Sequence, residues 1–231
     1  MTRGLKALAA VAVVVALVVF AYRAVSQDDD QPRRTASPRS HVTVPPAPDR
    51  APREGMYVVS AVQADGHVKV QTWLRAAHPI SRLRMTTTDP DLLPGSVESL
   101  DLVVRSMDGR LLAHRGSIGT NHQTIRLRAP AQELWFSYTV DGALDDATST
   151  VPGRKLARVL GMDVDYEGAS TSVVRRLVTS SGTVLNVACL RPRSGFQASP
   201  RACGKPTADG GWVVDLKGPD RRDRLLASLE V

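Results

Sequence analysis

Residues 57–75 read YVVSAVQADGHVKVQTWLR. Two runs, Tyr57–Ala64 and Val68–Arg75, mix branched apolar and polar residues on either side of Asp65-Gly66. A strand alternates its side chains between two faces, and Asp-Gly tolerates the positive φ of a tight hairpin turn. The stretch therefore predicts a β-hairpin. The same device recurs at Asp108-Gly109, between Leu100–Arg105 and Leu111–Arg115. Ser180-Ser181-Gly182 joins Ser172–Val178 to Thr183–Cys189 and predicts another hairpin. Further strands are expected at Ile80–Thr87, Thr124–Arg128, Glu133–Val140, Met162–Tyr166 and Trp212–Leu216. In Glu133–Val140, Leu134, Phe136, Tyr138 and Val140 share one face.

Many short strands with turn signals every eight to twelve residues or so predict an all-β fold, a β-sandwich of Ig-like type over residues 56–231. Asp141–Gly153 is rich in Gly, Asp, Ser and Pro and is a candidate boundary between two small lobes. Two stretches stay open. Leu156, Val159 and Leu160 have helical spacing, and the last residues fit a helix through Leu225, Leu226 and Leu229 or a strand through Leu225, Ala227, Leu229 and Val231. Aromatic residues make up 4% of the chain, so the core has to be built from Val, Leu, Ile and Ala.

Ahead of this domain, Arg3 and Lys6 precede an unbroken apolar run from Ala7 to Tyr22. At 1.5 Å per residue the run spans about 24 Å, and including Leu5, with Lys6 and Arg23 snorkelling, it reaches across a membrane. Residues 1–26 are read as a signal anchor, one N-terminal transmembrane helix that contacts the membrane through residues 5–25. The positive-inside rule places the C-terminal domain on the extracytoplasmic side. A cleaved signal peptide ending near Ser26 is the alternative, and it leaves the domain on the same side. Residues 27–55 hold prolines at 32, 38, 45, 46, 48 and 52 among polar residues and predict a disordered, extended linker.

The net charge is +7, with 25 Arg against 5 Lys and no single basic tail. Anionic partners are physically open to such a chain, but no nucleic-acid partner is expected. Cys189 and Cys203 are the only cysteines, and outside the cytoplasm they predict one disulfide. No metal site or cofactor is expected: the histidines have no ligand spacing, and the acidic pairs Asp89/Asp91, Asp145/Asp146 and Asp163/Asp165 lack the ligand ladder of a calcium loop. Neither a nucleophile elbow nor a phosphate-binding glycine loop is present.

Trp73 shares a strand face with Lys69, Gln71 and Arg75, and Trp135 shares one with Glu133, Ser137 and Thr139. Tryptophan on a polar face makes Trp73, Trp135, Lys69 and Arg75 the candidate binding patch, for an envelope protein or a glycan. Burial under another segment is the competing reading. Trp212, in phase with Val214 and Leu216, reads as core. The function expected is a non-catalytic binding or accessory module of the cell envelope. The alternative is an anchored or secreted hydrolase with a site built from scattered Asp, His and Ser residues. A third, an anionic-polymer binder, needs Arg175, Arg176, Arg191, Arg193, Arg221, Arg222 and Arg224 to share a face.

Overall fold

The computed structural model describes residues 43–86, 97–119, 122–145, 151–191 and 199–230. The predicted anchor, the linker up to residue 42, Asp89/Asp91, Asp146, Arg193 and the end of the C-terminal strand at Val231 lie outside the described residues. What is described is all-β, with two short 3-10 turns at Ala169–Thr171 and Gly218–Arg222.

The strands are β1 (Gly55–Val62), β2 (Val68–Thr86), β3 (Glu98–Ser106), β4 (Leu111–Ile118), β5 (Gln123–Asp141), β6 (Leu144–Asp145) and β7 (Arg154–Ala157). They continue as β8 (Asp163–Asp165), β9 (Val173–Ser180), β10 (Thr183–Leu190), β11 (Arg201–Ala202), β12 (Lys205–Pro206), β13 (Trp212–Leu216) and β14 (Arg224–Glu230). One sheet runs β12-β13-β9-β1-β2-β5-β3-β4, with β8 beside the far half of β2. The second runs β11-β10-β14-β7-β6. Both contribute to one contiguous core, in which Val70, Leu74, Phe136 and Met85 of the first sheet join Val187, Leu225 and Leu229 of the second.

The hairpins at Asp65-Gly66 and Asp108-Gly109 form as expected, with both glycines at positive φ. The pairs Val68–Arg75 with Ile80–Thr87, and Thr124–Arg128 with Glu133–Val140, are not separate strands but halves of the long β2 and β5. Pro79 and Pro130 cannot donate to a ladder, and between Arg75↔Glu133 and Arg82↔Arg126 only Ile80↔Ala131 pairs, in a shifted register, before the original register resumes.

Three expectations are corrected, and the two open stretches resolve. Ser180–Gly182 is not a hairpin turn. Gly182 is not at positive φ, and the chain passes there from β9 in the first sheet to β10 in the second, with the Ser181 N–H donating to Val62 O at 2.9 Å. Asp141–Gly153 does not separate two lobes, because β9 and β13 beyond it complete the first sheet through the parallel pairing of β1 with β9. The helical spacing at Leu156 resolves as the strand β7, and the C-terminus resolves as the strand β14 with Leu225, Ala227 and Leu229 inward. Finally, the linker reading fails over its last part, since Val44, Ala47 and Ala51 pack on the domain.

Candidate functional site

The register of β2 on β5 sets Trp73 directly opposite Trp135, so the two tryptophans do meet. They do not form an open patch. Tyr57 packs edge-on to Trp73 with ring centroids 6.1 Å apart, and Val44, Ala47, Ala51 and Met107 close over the group. Trp73 is 7% exposed and Trp135 9%, and the Trp73 indole N–H donates to Pro45 O at 2.9 Å. The void left there, of about 20 Å³, has no room for a sugar ring. Arg75 is occupied by Glu133 at 2.8 Å, while Lys69 stays exposed opposite Thr139. The patch reading is corrected: a proline-rich segment has no helix or sheet of its own to complete, and its small apolar residues shield the indoles from water.

A different site emerges at the far half of β2. A cavity of about 270 Å³ is lined by Arg84 and Thr86 of β2, Asp163 and Asp165 of β8, Arg176 of β9, Arg221 and Arg222 of the second 3-10 turn, and His122. Strand alternation explains the choice of residues. Leu83 and Met85 point into the core and so send Arg84 outward, and Val164 points inward between Asp163 and Asp165. On β9 the same rule divides two neighbouring arginines. Arg176 turns in and is 7% exposed, whereas Arg175 turns out and is held by Asp215 at 2.6 Å.

Arg221 is fixed before any ligand arrives. Its Nε donates to Ser172 Oγ at 3.3 Å, Nη2 donates to Val164 O at 3.2 Å, and the guanidinium lies over the Tyr166 ring at 5.9 Å. Arg222 reaches Asp165 at 3.5 Å. Arg176 donates from Nη2 to Met162 O at 3.4 Å, but its buried Nε has no hydrogen-bond partner among the described residues. Burial pushes the Asp163 carboxyl above the ordinary carboxylate range, although Arg176, Arg224, Arg221 and Arg222 all pull it down. Burial likewise lowers the Arg221 guanidinium from its usual value.

Of the arginines expected to share a face, the structure brings together Arg176, Arg221 and Arg222 and adds Arg84. Arg175 lies on the opposite side of β9, and Arg191 meets Asp220 at 3.5 Å. Arg84 was the residue the sequence reading missed. Its signal was present as the alternation Arg82-Leu83-Arg84-Met85, in which both outward residues are basic. Of the histidines, His67 sits between Asp65 and Asp141 at 3.1 and 3.4 Å, and His122 alone lines this cavity. Cys189 and Cys203 form the predicted disulfide, with Cα atoms 5.7 Å apart. Among the described residues no group of three or more His, Cys, Asp or Glu is placed to hold a metal ion.

No protein-family model matches the chain, and no curated protein matches it. Among solved structures it is similar to an aminopeptidase N family protein from Idiomarina loihiensis, with 12% identity and a TM-score of 0.42, over 76% of this chain and 29% of that one. It is also similar to yeast LTA4 hydrolase, at 10% identity and a TM-score of 0.37, over 76% and 28%. A third is an M1 zinc metallopeptidase mutant from Deinococcus radiodurans, at 13% and 0.34, over 75% and 41%. The chain spans less than half the length of each, and likenesses of this size leave function to be argued from the site itself.

Proposed function

We propose that the chain is a non-catalytic binding or accessory module of the cell envelope, carried outside the membrane by its N-terminal apolar segment. The observation that carries this reading is the Cys189–Cys203 disulfide. It uses both cysteines of the chain, and such bonds persist in oxidising compartments. The run Ala7–Tyr22 behind Arg3 and Lys6 supports the orientation. The two sheets over one core support the finer description of the domain as an Ig-like sandwich, and the apolar run supports a transmembrane helix ahead of it. A binding module needs a rigid platform with a few preset polar groups, and the arginine cavity meets that need.

The test of location is a reporter active only outside the cytoplasm, fused after Val231. Activity is expected, and a fusion that is made but stays inactive overturns the reading. Proximity labelling from the intact envelope then identifies the partner, with a protein or a glycan-bearing component expected.

A second reading, an anchored hydrolase, draws on the same cavity, whose lining includes His122, Asp163 and Asp165. An acid–base pair of that kind requires turnover of ester, glycoside or phosphoester substrates that His122→Ala abolishes. Such turnover would replace the binding reading.

A further inference from the structure

We infer that the cavity beside β8 and the arginine row next to it form one binding site for a phosphate-type oxyanion, an inference that rests on reading the chain as a binding module. Charge balance comes first. Arg84, Arg176, Arg221 and Arg222 face only Asp163 and Asp165 in the cavity, a formal excess of two positive charges with both carboxylates ionised. Guanidinium groups match the oxygens of phosphate, and Arg221 is already held in place through Nε and Nη2, with Nη1 4.0 Å from Asp165.

The second observation is Arg176. Its side chain is buried and its Nε lacks an acceptor among the described residues. A buried charged donor without a partner is expensive, and an incoming oxygen would satisfy it. Gly161 makes room for this side chain, since a Cβ there would stand 3.3 Å from Arg176 Nη1.

The third observation lies just outside the cavity. A neighbouring depression of about 530 Å³ shares Arg84 and Asp165 and adds Arg82, Thr124, Tyr166 and Glu167. Arg82 stands directly opposite Arg126 in the β2–β5 register, and both are exposed. Like charges directly opposite each other on a sheet repel. Neither makes an ion pair among the described residues, so nothing there offsets their adjacency. An anion lying along this row removes the repulsion. Asp165 and Glu167 are the carboxylates that oppose it there. The shared residues make the seat and the row continuous, so a phosphate in the cavity can be free or can belong to a longer phosphate chain.

The test is calorimetric titration of the full chain with inorganic phosphate and, separately, with inorganic polyphosphate. Binding of phosphate alone marks the cavity as a seat for a small anion. Binding that needs polyphosphate shows that the row around Arg82 and Arg126 is used as well. Either result supports the site, provided that Arg84→Gln and Arg222→Gln each weaken it about tenfold or more and Arg175→Gln, on the other side of β9, leaves it unchanged. Arg84 and Arg222 are exposed, so these variants keep the fold, which a thermal melt checks, whereas Arg176 is buried and does not carry the test. Failure of the folded chain to bind either probe overturns the proposal. So does binding that Arg84→Gln and Arg222→Gln leave intact, or that Arg175→Gln weakens equally. If neither anion binds but labelling still captures an envelope partner, the oxyanion site is lost and the binding-module reading stands.

Discussion

Tyr138 shows how one side chain ties the core to the candidate site. Its ring lies on the buried face of β5 with Leu134, Phe136 and Val140, as the period of two requires. Its hydroxyl oxygen accepts the Met162 N–H at 2.7 Å, and so fixes the turn that leads into β8. Burial pushes the Tyr138 phenol up to about 12 from its ordinary 10. The neutral phenol is the form that folds. Its stabilising effect is therefore complete below about pH 10 and is lost as pH rises from about 10 to about 12. Tyr138→Phe leaves the Met162 N–H buried without an acceptor and should cost about 1–3 kcal/mol at neutral pH. Urea unfolding at neutral and alkaline pH checks both parts. The variant should lose much of the alkaline decline, and a remainder should persist from Tyr57 and Tyr166, whose phenols burial also raises. An unchanged alkaline slope would remove Tyr138 from the account. The facing of this residue was legible in the alternation of β5. Its partner was not, because Met162 arrives through a loop and no local pattern announces it.

At the scale of elements, local signals were read well and their partners poorly. Asp-Gly turns and alternating runs mark strands and tight hairpins, and those places were legible. The two long strands were cut at Pro79 and Pro130, because proline removes a ladder donor even where the register survives. The segment ahead of β1 was misread for a related reason. Proline and alanine signal an extended chain, and an extended chain can still lie on a sheet. Val44, Ala47 and Ala51 do so over Tyr57, Trp73 and Trp135, with Pro45 O accepting from Trp73. That cover yields a prediction. Ala47→Asp with Ala51→Asp places charge against the indoles and should lower stability by about 2 kcal/mol, from lost apolar burial and the Trp73 hydrogen bond. Tryptophan emission should shift to the red, and a trace of protease should cut within residues 44–52, which the unmodified protein protects. Emission and protection that match the unmodified protein would show that the cover does not depend on this apolar contact.

The whole molecule is held by connections that cross between sheets, and these were the least legible. Strand class follows from local punctuation, but Gly55 pairs in parallel with Val173, far along the chain, and nothing near either residue encodes that meeting. The same distance explains why the arginine cavity was out of reach, since it draws on β2, β8, β9 and the turn at Gly218–Arg222. The disulfide sits at one such crossing. Cys189 lies on β10 of the second sheet, while Cys203 stands between β11, which pairs β10, and β12, which joins the first sheet through β13. The Cys203 N–H donates to Val187 O at 3.2 Å, and the sulfur bridge fastens the chain where it leaves one sheet for the other. Opening a loop of this length should remove about 3 kcal/mol in the chain-entropy model. Replacing both cysteines by serine should therefore lower the melting temperature. Because β13 pairs with β9 and β9 with β1, the loss should spread through both sheets as one transition. Tryptophan fluorescence reports on the cluster at Trp73, and far-UV circular dichroism reports on all strands, so the two melting curves should coincide. If circular dichroism instead falls in two steps, with the tryptophan signal following only the second, strands on either side of Asp141–Gly153 unfold separately, and the interleaved topology does not couple them.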